Sequence, residues 1–237
     1  MWDNPQSLNG LTTSLLALAL AVALYHIGRW ALNLPVLPLK VVTFQGKNMD
    51  GGATKPLEHV TRGELADVVR KEIKEGFITV DLVAARIAFM KLPWVRDAVV
   101  RRVWPHGLEV TLEEQMPLAC WGDAGLVNTQ GEVFDAPCDP RLPVFDGPSK
   151  SSRDMARHYA VFAGLLHPLQ QRIEKLTLSP RRAWQISLEQ GTVLELGREQ
   201  MEARLGRYAR LEGSAAALLN RRFSRVDLRY PNGFAVQ

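Results

Sequence analysis

Residues 95–114 read VRDAVVRRVWPHGLEVTLEE, and this stretch decides the fold of the first soluble domain. Leu108, Val110 and Leu112 alternate with Glu109, Thr111 and Glu113, the period-two pattern of a strand with one buried face. Val95, Val99 and Val103 alternate on the strand before it, and Pro105-His106-Gly107 supplies the turn. Upstream, Pro93 ends a helix, because the residue before proline avoids the helical region. Asp81 caps that helix, with Val83, Ile87 and Met90 expected to face inward. Gly76 is the expected stop of an earlier helix. That helix opens at Thr61, where Thr61 and Glu64 form a capping box, and it sets Leu65, Val68, Val69 and Ile73 on one face. Before it, Val42 and Phe44 alternate with Thr43 and Gln45 in a strand ended by Gly46, followed by a loop containing Gly51 and Gly52. The order is strand, helix, helix, strand, strand.

Further upstream lies a stretch of a different kind. No charged residue occurs from Asn4 to Gly28 with His26 neutral, and the segment from about Leu11 to Leu32 is long enough to cross a bilayer as a helix. Tyr25 and Trp30 near one end suit the membrane interface, Arg29 can snorkel outward, and His26 falls near the headgroups. Pro35 and Pro38 stop the helix. A cleaved signal peptide would need a basic leader and a small-residue cleavage site, whereas MWDNPQSLNG has no Lys or Arg. A buried helix of a soluble protein would rarely run so long without charge at a terminus. By the positive-inside rule alone, Arg29 and Lys40 favour a C-terminus on the inner side, although large domains translocate largely regardless of such counts.

Downstream, Leu126 to Phe134 reads as a hairpin with a turn at Gly131, and Pro137, Pro140, Pro143 and Pro148 mark a stiff loop. Ser152 to His167 is a helix with Met155, Tyr159, Phe162 and Leu166 on one face. Trp184, Ile186 and Leu188 alternate, Gln190-Gly191 turns, and Val193, Leu194 and Leu196 continue as a strand. Arg198 to Leu211 is helical, with Met201, Leu205 and Tyr208 inward and several arginines outward. Arg225 to Tyr230 alternates as a strand, Pro231-Asn232-Gly233 turns, and Phe234-Ala235-Val236 extends it.

Composition excludes several classes. With 46% hydrophobic and 23% charged residues the chain is that of a folded protein. Its net charge of +4 is spread among acidic residues, so no nucleic-acid face is expected. The two cysteines, Cys120 and Cys138, lie outside any CxxC, and the five histidines follow no ligand spacing, so neither a metal nor a cofactor is expected. In an oxidising compartment Cys120 and Cys138 are free to pair; a buried thiol and a loop thiol are the alternative. No nucleophile elbow, zinc-protease helix, phosphate loop or dinucleotide fingerprint occurs, and no catalytic residue is assigned. Glu113 and Glu114 are neighbours on a strand, face opposite sides and cannot act as a carboxylate pair.

The first domain resembles a POTRA domain, a small module of bacterial envelope proteins. The residues that carry the resemblance are Val42-x-Phe44-x-Gly46, Gly76-Phe77-Ile78-x-Val80-Asp81, Leu92-Pro93-Trp94-Val95, Arg101 to Pro105, and Leu108-x-Val110-x-x-x-Glu114-x-x-Pro117-x-Ala119. Glu114 in that motif is an element that supports the fold. Directly after one N-terminal span, the series is similar to the FtsQ/DivIB family. So are Arg181 to Trp184, Leu196 to Glu199 and the ending Val226-Asp227-Leu228-Arg229-Tyr230-x-x-Gly233.

The resemblance implies an α+β chain with a cytoplasmic tail (1–10), a transmembrane helix (11–34), a POTRA domain (39–115) and an FtsQ-type β-domain (116–237). It implies a single-pass protein of the bacterial inner membrane, with its bulk periplasmic and concentrated at the division septum. This orientation is opposite to the one the charge count favours. It implies a non-enzymatic divisome scaffold that binds FtsB, itself coiled with FtsL, through a C-terminal edge strand. Such a scaffold links early and late division proteins, FtsK, FtsW and FtsI among them, to septal peptidoglycan synthesis. The partner-binding residues carried over are Arg181, Arg229, Tyr230, Asn232, Gly233 and Phe234. The exposed edge near Val42 is a second candidate docking surface. The rivals are another POTRA-bearing assembly or secretion component, which usually carries repeated units or a barrel, and a membrane-anchored cell-wall enzyme, which needs a nucleophile, a metal or paired carboxylates in a cleft.

Overall fold

The computed structural model describes residues 5–33, 41–47, 56–73, 76–219, 223–230, 233 and 235–237. The chain forms two compact units, residues 1–114 and 115–237.

Helix α1 spans Pro5–Asn33, so it begins inside the expected 1–10 tail. A proline suits the first helical position, where its missing N–H would have no partner anyway. Within α1, Thr12–Trp30 is long and apolar enough to cross a membrane, with a mean hydropathy of 1.3 and no part of it buried against protein. Pro35, Pro38, Gly51 and Gly52 lie outside the described residues.

The first soluble domain runs β1 (Val41–Gly46), α2 (Arg62–Glu72), α3 (Leu82–Phe89), β2 (Val95–Val103) and β3 (Gly107–Glu114), the order that the sequence dictates. Strand β3 is central, with β1 parallel on one side and β2 antiparallel on the other. Leu108, Val110 and Leu112 bury one face of β3. The Thr61–Glu64 capping box is complete, and Asp81 accepts from the backbone N–H groups of Val83 and Ala84.

Three expectations are corrected. Helix α2 ends at Glu72 with Ile73 as its cap, before Gly76; the Gly76 carbonyl instead accepts from Thr79 and Val80 in the following turn. On α3 the buried residues are Ala85, Ala88 and Phe89, while Val83, Ile87 and Met90 are exposed. Phe89 fixes this phase: it fills the core and meets Phe44 edge-on at 6.0 Å. On β2 a register shift between Val95 and Asp97 moves the alternation by one, so Ala98 is buried rather than Val99, and Val103 is exposed. One extra residue in a strand reverses every side chain beyond it.

Charged side chains tie this small domain together. The Glu114 carboxylate accepts from the backbone N–H groups of Glu58, His59 and Val60 at 2.9, 2.9 and 2.8 Å. Such bonds to an ionised acceptor contribute about 1.5–3 kcal/mol apiece, which gives Glu114 the supporting role that its motif implies. Glu113, on the opposite face, accepts from Arg96 at 2.7 Å. The Arg102 guanidinium donates to the carbonyls of Phe77, Ile78 and Val80.

Among the described residues, the second unit forms a sheet of nine strands in the order β12-β11-β10-β9-β8-β7-β4-β5-β6. They are β4 (Pro117–Trp121), β5 (Leu126–Asn128), β6 (Val133–Phe134), β7 (Val144–Asp146), β8 (Ile173–Leu178), β9 (Trp184–Leu188), β10 (Val193–Gly197), β11 (Arg225–Asp227) and β12 (Ala235–Val236). Helix α4 (Ser152–Leu166) packs on β8, and α5 (Met201–Leu219) packs on β10. Phe145, Met155, Phe162, Leu176, Ile186, Leu194, Leu205, Tyr208 and Val226 share one core. Cys120 and Cys138 form a disulfide, with Cα atoms 5.5 Å apart. With a sequence separation of 18 between them, closing this loop adds about 3 kcal/mol by restricting the unfolded chain. Helix α5 starts at Met201 rather than Arg198, and β11 stops at Asp227 rather than running to Tyr230.

Candidate partner-binding edge of the C-terminal sheet

Among the described residues, β12 is the last strand on its side of the sheet and pairs only with β11. The pairing is antiparallel, with Val226 opposite Val236 and Asp227 opposite Ala235. Arg225 and Gln237 exchange both backbone bonds, at 2.9 and 3.3 Å. Antiparallel ladders alternate, so the next pair, Val226 with Val236, is the one that exchanges none. The N–H and C=O of Val236 therefore point away from β11, on the open side. Its side chain is exposed, while Val226 across from it is buried.

At the start of this edge the chain leaves the ladder, and the cause is local. The Asp227 carboxylate accepts from the backbone N–H of Arg229 at 3.0 Å and is forked by the Arg229 guanidinium at 2.8 and 2.6 Å. A carboxylate that captures the backbone two residues on makes a turn, which ends the strand. The Arg229 hydrogen bond holds the Asp227 carboxyl below its ordinary range, and the same contact raises the Arg229 pKa. Arg229 lies against Gly197 of β10, where an added Cβ would come within 3.2 Å of the arginine stem. Gly197 has φ +78°, so two separate constraints favour glycine there.

Tyr230 follows, 55% exposed, with its carbonyl accepting from Arg207 of α5 at 3.0 Å. Its side chain is therefore not a core residue. Gly233 is half-buried, and a Cβ built on it meets nothing within 4 Å, so the space beside it is open. Asn232 and Phe234 lie outside the described residues.

Arg181 is exposed at the β8–β9 turn. The pairs Leu178–Trp184 and Trp184–Gly197 put this turn at the same end of the sheet as Gly197 and Arg229. Two to three strand spacings of about 4.8 Å separate it from β11, roughly 10–15 Å. The structure thus gathers Arg229, Tyr230 and Gly233 at one corner and sets Arg181 farther along the same rim. Sequence reasoning assigned no role at this edge to Val236, Asp227 or Arg207. The Asp-x-Arg spacing at 227–229 was a readable signal for the turn, whereas nothing local marks Arg207 as a support for Tyr230.

Comparison with known proteins agrees with both halves of the chain. Residues 55–115 match the family described as POTRA domain, FtsQ-type, and residues 119–229 match Cell division protein FtsQ/DivIB, C-terminal. The Cell division protein FtsQ of Nitrosospira multiformis is 50% identical over 237 residues, covering 100% of this chain and 99% of the relative. The protein of that name from Burkholderia pseudomallei is 39% identical, covering 100% of this chain and 94% of the relative. That from Neisseria gonorrhoeae is 33% identical, covering 100% and 95%. A POTRA domain followed by a β-sheet domain, with similarity along the full length to proteins of one name, means that the chain belongs to the FtsQ/DivIB family of cell-division proteins.

Proposed function

We propose that this protein is a non-enzymatic scaffold of the divisome that captures FtsB, coiled with FtsL, by accepting a strand of FtsB alongside β12. The observation that carries the reading is the outward-facing backbone of Val236 on an edge with no further strand among the described residues. An added strand gains main-chain hydrogen bonds there, and side chains at the corner give it specificity. Tyr230 supplies a large rigid surface. Arg229, already oriented by Asp227, presents its guanidinium without first losing rotamer freedom. Arg181 stands farther along the rim for a carboxylate of the partner. Asn232 and Phe234 complete the proposed binding set.

The apolar helix α1 anchors the chain in the inner membrane, and both soluble domains lie in the periplasm at the septum. The Cys120–Cys138 disulfide supports that side, since such bonds persist in oxidising compartments. It outweighs the flanking charges, which guide long translocated domains poorly. The POTRA domain, including the side of β1 near Val42 that pairs with no further strand among the described residues, serves recruitment among other division proteins such as FtsK, FtsW and FtsI.

Affinity capture of the full chain from membranes tests the reading. FtsB and FtsL in the eluate are the expected result; their absence, with the chain intact and inserted, would refute it. A reporter fused after Gln237 should be active only on the periplasmic side, and cytoplasmic activity would overturn the orientation.

A further inference from the structure

One end of the first soluble domain is apolar although it faces solvent. Trp104 is 75% exposed, Val41 55%, Val103 48% and Ile78 46%. The strand register brings these residues to one place. Gly107 pairs with Val41 on one side and Val103 on the other. A Cβ built on Gly107 would lie 3.6 Å from the Val41 carbonyl oxygen and 3.5 Å from the Val103 Cβ. Trp104 meets the buried Phe77 edge-on at 5.5 Å, and Arg102 holds the carbonyls of Phe77 and Ile78 at 3.0 and 3.3 Å. The indole is thus held in place by its neighbours while most of its surface is bare.

Chain connectivity says what this end is near. Val41 opens β1 only eight residues after Asn33, the last residue of α1. Eight residues span at most about 30 Å. The opposite end of β1, at Gly46, lies roughly 17 Å farther along the strand. The apolar end is therefore the one tethered closest to the membrane interface. Indole rings favour the headgroup layer, where the ring is shielded and its N–H remains hydrated. Arg101, exposed on the same strand, adds a positive charge suited to lipid phosphate, while Glu109 across from it is engaged by Gln45 at 3.2 Å.

We infer that the β2–β3 turn, with Trp104 at its tip, rests in the headgroup layer of the membrane that α1 crosses and forms a second, interfacial contact of the POTRA domain with lipid. Two contacts, one spanning and one superficial, fix the orientation of the domain on the bilayer as a single tether cannot. The inference rests on α1 as a membrane span, and the test separates the two.

The experiment uses the full chain with benzoylphenylalanine, a photoreactive aromatic, at position 104, 30 or 157, reconstituted in vesicles of phosphatidylethanolamine and phosphatidylglycerol. Circular dichroism confirms folding, and intact mass reports lipid adducts after illumination. The expected result is a lipid adduct at 104 and at 30 and none at 157, an exposed position on α4. An adduct at 30 without one at 104 overturns the interfacial contact and leaves the span standing. An adduct at 104 with protein in place of lipid overturns it as well. No adduct at 30 removes the span, and the inference falls with it.

Discussion

Among the described residues, each soluble domain has two outermost strands, β1 and β2 in the first and β6 and β12 in the second, and the chain treats β2 and β12 in opposite ways. Along β2 of the first domain, Arg86 of α3 reaches across, donating to the Ala98 carbonyl at 2.8 Å and pairing with Asp97 at 2.6 Å. A backbone acceptor that would invite a foreign strand is already satisfied, and the solvent-facing Arg86–Asp97 charge pair discourages approach. Along β12 of the second domain the outward groups of Val236 have no such cover among the described residues, and the flanking corner carries exposed Tyr230 and Arg229. The difference teaches where to look for a partner: the outward groups of Val236 stand open among the described residues, whereas those of Ala98 on another edge strand are already engaged.

The largest effect that sharpens this contrast comes from Val236→Pro. Proline removes an N–H that β11 does not use, so the fold should persist, but an incoming strand loses its donor and leaves a carbonyl unsatisfied. The expected cost is about 3 kcal/mol, roughly a hundredfold in FtsB affinity, read by calorimetry with the purified periplasmic segment of FtsB. Tyr230→Ala comes next. Truncating an exposed aromatic anchor should weaken the same binding by about 2 kcal/mol, roughly thirtyfold. Circular dichroism should be unchanged, because the Tyr230 carbonyl, not its ring, receives Arg207. Unaltered affinity in a folded variant would remove the ring from the binding corner.

On the closed side, Arg86→Ala should break the contrast from the other direction. It leaves the Ala98 carbonyl bare and Asp97 unpaired, at a cost of about 1–2 kcal/mol in domain stability, with concentration-dependent self-association visible by sedimentation. A monomer of undiminished stability would show that the arginine does not guard that strand. The smallest effect is that of pH. Hydrogen bonds from Arg86 and Arg229 lower the pKa of Asp97 and Asp227 respectively, and Arg141 lowers that of Asp139 to about 2. A carboxyl whose pKa is lower in the folded state stabilises the fold above its unfolded pKa of about 4. That contribution disappears as pH falls through the folded value. Thermal melts should therefore show stability falling from about pH 4 toward pH 2. For Asp227→Asn that acid-dependent fall should be shallower.

Much of this was legible in the sequence, for identifiable reasons. The capping box at Thr61–Glu64, the cap at Asp81 and the alternation of Leu108, Val110 and Leu112 are local signals, and the structure keeps them. The phase of α3 was not legible. Val83, Ile87 and Met90 share a helical face as well as Ala85, Ala88 and Phe89 do, and only packing of Phe89 against Phe44 decides between the two. The bulge after Val95 likewise has no local signature and is fixed by pairing with β3. The corner at Arg229 and Tyr230 was found by resemblance; its turn at Asp227 has a local signal in the Asp-x-Arg spacing, but Arg207, which holds the Tyr230 carbonyl, comes from α5, far away in sequence. The outward backbone of Val236 was not legible, because it depends on the parity of a ladder, a property of the pair and not of either strand.

Amide hydrogen exchange of Val236, followed by NMR in the isotope-labelled periplasmic part of the chain with and without the FtsB segment, reads that open edge directly. The account predicts rapid exchange in the free protein and strong protection at saturating FtsB, with the Gln237 amide, already bonded to Arg225, changing far less. A Val236 amide that exchanges equally fast in the fully formed complex would contradict it.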